Sequence, residues 1–363
     1  MPSTWIQASI GLAWGLVLSW GLIRWVAPLG WMDHPNQKRK HHARPTARTG
    51  GLTLWAGITL LQVLGLSPLK LDWPDWLALH AMAFTGLLDD RFDLSPKYKA
   101  SVGLGVALLL AVHVVQSHAQ GLSHFTFLGM VLPTHPAILC PLLLLWFWAI
   151  PQAYNLIDGI NGLSIGYAAL LLGVLGWNLG LSSPVLWGGL AAVLGLNYPK
   201  AHHFLGDCGA LMLGTLFAIL GVQAFGLWQP DLLLWVFAYP IVDVCLVVGI
   251  RRWKGSPLGK ADRSHLHHWM MDHMGGRSWR ATPVLLLVAA LPMFRATAIP
   301  GHLALSNVGA LLLVGLALKA FMDRVTLTSP APRKSNVHAQ VQREIPMLVP
   351  QRLGEVSGSH SRH

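Results

Sequence analysis

The chain has 363 residues, 53% of them hydrophobic and only 11% charged. A soluble domain carries about 25% charged residues, so an ordinary soluble fold is excluded and a membrane protein is expected. The net charge of +11 suits anionic lipid or a phosphorylated substrate. Nucleic acid is excluded as a partner, because the charges fall in short loops between apolar runs and not on a folded surface.

The apolar runs predict membrane helices over residues 5–27, 50–66, 73–88, 98–116, 137–153, 162–180, 184–197, 209–227, 231–250, 281–299 and 302–322. The fold class is thus all-α and polytopic, with about eleven spans, each near the roughly 20 residues a crossing needs. The first run has no basic residue before it and no small-residue cleavage site, so it reads as a retained span. Lysine and arginine concentrate in loops 33–49, 89–99 and 251–280 and after residue 322. By the positive-inside rule those segments are cytoplasmic, with the N-terminus outside and the C-terminus inside. The organisation expected is a membrane domain over 1–324 and a disordered cytoplasmic tail over 325–363, within which 337–353 has a weak surface-helix pattern. Cys140, Cys208 and Cys245 are isolated and give neither a disulfide framework nor a zinc knuckle.

Polar islands interrupt the apolar pattern, all on the expected cytoplasmic face. The first is Leu-Leu-Asp89-Asp90-Arg91-Phe-Asp93. Adjacent carboxylates repel, which favours a cation nearby; a solvated helix end with Lys97 and Lys99 as loose partners is the plainer account. The second, Asn155-Leu-Ile-Asp158-Gly-Ile-Asn161-Gly, joins amide and acid to turn-forming glycines. It can hold a nucleoside or phosphate against backbone N–H groups, or simply cap a turn. In Phe-Leu-Gly206-Asp207-Cys208-Gly209 the glycines allow close backbone approach. The acid there can serve a hard cation such as Mg²⁺ or act as a helix N-cap.

Asp262-Arg263-Ser-His265-Leu-His267-His268 is dense in donors. Zinc comes to mind, since histidine is its commonest ligand. Without His-Glu-x-x-His or a nearby cysteine, phosphate or sugar contacts are favoured. The basic loop 33–51, with Lys38 and Arg48 and a Gly50-Gly51 exit, suits a diphosphate or lipid phosphate, though topology-setting charge explains its lysines equally well.

In this order and spacing the islands resemble the polyprenyl-phosphate N-acetylhexosamine-1-phosphate transferases, glycosyltransferase family 4, over about 33–268. Each motif alone is weak; together they are specific. The Asp-Arg-x-His-x-His-His form is closer to the N-acetylhexosamine branch than to the muramoyl branch. Asn161 stands where an acid is common, and Ala47 where a proline is common before Gly-Gly.

The resemblance implies transfer of N-acetylhexosamine 1-phosphate, most simply N-acetylglucosamine 1-phosphate, from a UDP-sugar to undecaprenyl phosphate. UMP is released, and the lipid product initiates a cell-surface glycan such as O-antigen. The implied cofactor is Mg²⁺, with Mn²⁺ as a substitute. Asp89, Asp90, Asp158 and Asp207 look like the catalytic acids, with Asp207 and Asp90 at the metal. Lys38, Arg48, Asn155, Asn161, Arg263, His265, His267 and His268 look like substrate-binding residues. The implied setting is the bacterial inner membrane, with the site facing the cytoplasm and a homodimer as a further expectation. The alternatives are a phospho-N-acetylmuramoyl-pentapeptide transferase-like enzyme and, from other classes, an ion-coupled transporter or a metalloenzyme built on the histidines. Asp243, inside the ninth predicted span, is the residue that best suits a transporter.

Overall fold

A computed structural model describes residues 4–34, 45–118, 123–181, 183–226, 229–253, 255–257, 263–298 and 315. Helix α1 (Thr4–Gly21) continues through a π-type turn (Leu22–Val26) and a 3-10 turn (Ala27–Leu29) into strand β1 (Met32–Asp33). This strand pairs antiparallel with β2 (Thr46–Ala47), Met32 opposite Ala47 and Asp33 opposite Thr46. Helices α2 (Gly50–Val63), α3 (Trp73–Phe92) and α4 (Pro96–His118) follow. The hairpin β3 (His124–Phe127) and β4 (Met130–Pro133) leads to α5 (Pro136–Leu156), α6 (Leu163–Leu179), α7 (Pro184–Asn197) and α8 (Gly206–Phe225). The last elements are α9 (Pro230–Val236), α10 (Ala238–Trp253), α11 (Leu266–His273) and α12 (Ser278–Ala298).

The first ten predicted spans each fall on helix, and residues 184–197 coincide with α7. Among the described residues, α1 with its following turns, α4, α5 and α8 are long and apolar enough to cross a bilayer. The ninth predicted span is not one rod: α9 and α10 meet at 75°. Asp231 at the start of α9 holds the β3–β4 hairpin, accepting the Leu128 N–H at 2.8 Å. That hairpin lies in the connection between α4 and α5. Helix α3 runs past its apolar stretch to Phe92, and Asp93 ends it in the left-handed region at φ 52°. The eleventh predicted span, the tail over 325–363 with its surface-helix pattern, and Lys38 lie outside the described residues.

Helix α8 forms the centre. It is packed by α2, α3, α5, α6 and α9, and 89% of its span lies inside the protein, against 17% for α1. Glycines let two neighbours reach its first turn. A Cβ on Gly51 of α2 would sit 2.0 Å from the Gly209 nitrogen, and one on Gly86 of α3 would sit 2.2 Å from the Asp207 carbonyl oxygen. Gly50 and Gly51 N–H groups donate to the Phe204 and Leu205 carbonyls at 2.9 and 2.8 Å, so the start of α2 is satisfied by the chain entering α8. These contacts bring the sequence-distant loop 45–51 to the same place as Asp89, Asp90 and Asp207.

Candidate active site

At one end of the bundle a cavity of about 1020 Å³ collects Asp33, Arg48, Asp89, Asp90, Lys99, Asn155, Asp158, Asn161, Asp207 and His268. The C-terminal ends of α3 and α5 and the N-terminal ends of α2, α4, α6, α8 and α12 converge there. Helix N-termini carry partial positive charge and unpaired N–H groups, so this end of the bundle favours anions.

Asp89 and Asp90 are neighbours in the chain but have different surroundings, because successive helical residues point about 100° apart. The Asp90 carboxylate accepts the backbone N–H groups of Asp207 and Cys208, each at 3.0 Å. It caps α8 from another helix, where a carboxylate also complements the positive helix end. Gly206 makes room for it: its φ is +72°, and a Cβ there would lie 2.5 Å from Asp90 Oδ2. Asp89 turns the other way. Its Oδ2 accepts from Lys99 Nζ at 2.9 Å, while its buried Oδ1 has no hydrogen-bond partner.

Lys99, in the first turn of α4, bridges Asp89 to Asp207, whose Oδ2 lies 2.8 Å from the ammonium. Asn155 Nδ2 donates to the same Asp207 oxygen at 3.2 Å. Three helices and the entry to a fourth therefore meet in a mixed cluster of carboxylates, ammonium and amide.

Asp158 lies in the turn between α5 and α6 and accepts from the Ser164 hydroxyl. Burial pushes its carboxyl up to about 7, against the opposing pull of the Ser164 and Gly206 hydrogen bonds. The turn is held firmly. Gly162 N–H donates to Asn197 Oδ1 at 2.6 Å, Thr282 Oγ1 donates to the Asn161 carbonyl at 2.7 Å, and Asn161 Nδ2 donates to the Pro199 carbonyl at 3.3 Å. The amide at 161 thus makes a bond that a carboxylate could not donate. Arg48 on the opposite wall pairs with Asp33, across the β1–β2 ribbon.

The histidine loop divides. His268 lines the cavity. His265 and His267 are 7% and 1% exposed and stand behind the wall. His267 Nε2 packs against Gly159, where a Cβ would be 2.0 Å away. Burial, then the neighbouring His268 and His265, hold the His267 imidazole well below its ordinary range, so it is neutral. His265 Nδ1–H donates to Asp243 Oδ2 at 2.7 Å. Asp243, His265 and His267 each present an atom within 4.8 Å of the others. Arg263 is exposed, is not among the residues lining the cavity, and pairs with Asp272 of α11.

Sequence reasoning treated Lys99 only as a loose partner, and did not place Asp33, Asn197 or Lys200 at the site. Lys99 left a usable signal: a lysine in the first turn of an apolar helix, ten residues beyond an acid, can fold back across the helix turn.

A helical membrane bundle with acids, amides and cations drawn into one cavity at its end is the arrangement of a membrane-embedded enzyme handling charged substrates. Comparison with known proteins makes the class specific. The family model for glycosyl transferase family 4 matches residues 75–225, a stretch that contains Asp89, Asp90, Lys99, Asn155, Asp158 and Asp207. The undecaprenyl-phosphate alpha-N-acetylglucosaminyl 1-phosphate transferase of Salmonella typhi is 30% identical over 287 residues, covering 72% of this chain and 75% of the relative. Its counterpart in Escherichia coli K12 is 29% identical over 285 residues with the same coverage. A probable undecaprenyl-phosphate N-acetylglucosaminyl 1-phosphate transferase of Bacillus subtilis is 29% identical over 269 residues, 67% of this chain and 70% of the relative. The chain belongs to glycosyl transferase family 4 and is a transferase enzyme of the membrane.

Proposed function

We propose that the protein transfers N-acetylglucosamine 1-phosphate from its UDP-sugar to undecaprenyl phosphate, releasing UMP. The observation that carries this reading is the convergence of Asp89, Asp207, Lys99, Asn155 and Asp158 on one large cavity at one end of the bundle. The names of the relatives supply acceptor and sugar. The further expectation is a bacterial inner-membrane protein with its N-terminus outside and this cavity on the cytoplasmic side, its product initiating a surface glycan.

An oxygen of the lipid phosphate attacks the phosphorus that carries the sugar, and the bond from that phosphorus to UMP breaks. Both partners are anionic, so their approach requires cancellation of charge. Arg48, Lys99 and the surrounding helix N-termini provide part of it. A general base has little to do, because a phosphate monoester with a second pKa of about 6 is already ionised near neutrality.

Mg²⁺ fits the site: Asp89 Oδ1 is a buried carboxylate oxygen with no hydrogen-bond partner, and Asp89 and Asp207 both line a cavity roomy enough for phosphates. Asp207 and Asp89 would hold the ion, which when bound would supply neutralisation of the diphosphate charge and polarisation of its oxygens. Asp90, with both oxygens engaged by α8, sets the position of Asp207. Asn155, Asp158 and Asn161 face the space in which a nucleotide would lie.

The test is incubation of membranes containing the protein with a panel of UDP-N-acetylhexosamines and radiolabelled undecaprenyl phosphate. A labelled lipid diphosphate sugar should form with equimolar UMP, fastest with N-acetylglucosamine. Asp207→Asn should lower kcat by about a hundredfold or more. A purified Asp207→Asn protein with near-normal Mg²⁺-dependent turnover would remove this residue from the metal.

A further inference from the structure

We infer that Asp243 is a positioning residue for the reaction, acting through His265 to hold the histidine loop against the nucleotide-side turn; this rests on the functional reading above. Asp243 is completely buried in α10, far in sequence from the loop it meets. Both of its oxygens are engaged there. Oδ2 accepts His265 Nδ1–H at 2.7 Å, and Oδ1 accepts the Leu266 backbone N–H at 2.7 Å. The second bond satisfies an otherwise open N–H in the first turn of α11, which is only eight residues long. The carboxylate therefore fixes the origin of α11 and the ring plane and tautomer of His265 together.

The order set at Asp243 is passed on by packing. The His265 ring stacks on His267, with centroids 5.3 Å apart and planes at 19°. His267 packs on His268 at 4.3 Å. His267 Nε2 faces Gly159, next to Asp158, and His268 reaches the cavity. One buried acid thus supports two walls of the site, the face of His268 and the Asp158–Gly159 turn. The three-residue cluster also has the composition of a zinc site. Against that, two of its ligand atoms are bonded to each other, and the remaining carboxylate oxygen to a backbone N–H. Filling it would break bonds that the loop needs.

The experiment uses the full-length protein purified in detergent, with Asp243→Asn, Asp243→Ala, His265→Ala and the Asp243→Ala/His265→Ala double variant. Asp243→Asn keeps the volume and an acceptor for Leu266, which guards against loss of the fold. Donor KM should rise about tenfold or more in the alanine variant, a size typical of a misplaced site group. Acceptor KM should stay near the wild-type value. The double variant should be no worse than Asp243→Ala alone, because the histidine has already lost its anchor once the carboxylate is gone.

A second readout needs no substrate. Hydrogen exchange over residues 263–273 should accelerate in Asp243→Ala at least to the level of His265→Ala, while α8 keeps its protection. Unchanged donor KM in a folded variant, additive effects in the double variant, or unchanged exchange would each overturn the inference. So would stoichiometric zinc in the purified protein that is lost with Asp243→Ala. A wild-type protein inactive with every UDP-N-acetylhexosamine would defeat the functional reading instead, and the exchange measurement would still decide whether Asp243 orders the loop.

Discussion

Two adjacent acids with different partners show how much a single residue's environment decides. Asp90 faces α8 and Asp89 faces the cavity. Their presence was legible in the sequence, because a carboxylate at the edge of an apolar run is costly and rarely kept without a partner. Their division was not, since it depends on which side of α3 meets α8. The same holds for His265, His267 and His268, read as one recognition motif; two of them face inward because Asp243, on another helix, captures the first.

Asp158 carries a measurable signature at this scale. Burial raises its carboxyl to about 7, while an unfolded aspartate titrates near 4. The folded state therefore binds the proton more tightly. The stability that this proton contributes is fully present below the unfolded value and is lost as pH rises through the folded value. Thermal unfolding in detergent should show a Tm that falls between pH 5 and pH 8, and Asp158→Asn should flatten that fall. An identical pH slope in the two proteins would contradict the burial argument.

Elements pack through their smallest residues. Helices α1 and α7 approach backbone to backbone: a Cβ on Gly11 would lie 2.1 Å from the Val185 carbonyl oxygen, and one on Gly188 would lie 2.1 Å from that of Ala8. Small residues at helix contacts are how membrane helices gain packing without a hydrophobic driving force. Gly188→Ala must push the two helices apart, and overpacking of this kind costs about 1–3 kcal/mol. A lower Tm with unchanged substrate KM is the expected result, because this pair stands away from the cavity. Helix positions were readable from the apolar runs, and the bend between α9 and α10 was not. It falls at Phe237, three residues before Pro240, which has no N–H for the Val236 carbonyl; that carbonyl accepts the Tyr167 hydroxyl instead, at 2.8 Å. Prolines inside α5 and α12 produce no such break, so the residue type alone did not announce this one. The β3–β4 hairpin was equally silent, as its strands are too short to establish an alternating pattern.

For the molecule as a whole, the islands' common location was the most informative feature. The helix ends that build the cavity alternate in chain direction, C-terminal for α3 and α5, N-terminal for α4, α6 and α8, as a bundle with its polar loops on one side demands. The proposed orientation, with this end on the cytoplasmic side, comes from the positive-inside rule applied to the basic segments of the sequence. Cysteines introduced singly at Lys97 and at Ser123 should differ in labelling of intact cells by an impermeant maleimide. The position in the outer connection should react and the one beside the site should not; the opposite pattern would invert the topology.

The depth of α8 has a consequence for the membrane around it. The surface left for lipid belongs to the peripheral helices, with only 17% of the α1 span covered by protein, whereas the helix that carries Asp207 is sheathed almost wholly by protein. A thinner or thicker bilayer acts on a protein through tilt and strain of the helices it touches. Here that load falls on the rim, and the reacting groups are insulated from it, as an axle is from the road by its wheel. Turnover should consequently vary little across phospholipids of different acyl length, even where the stability of the outer helices does.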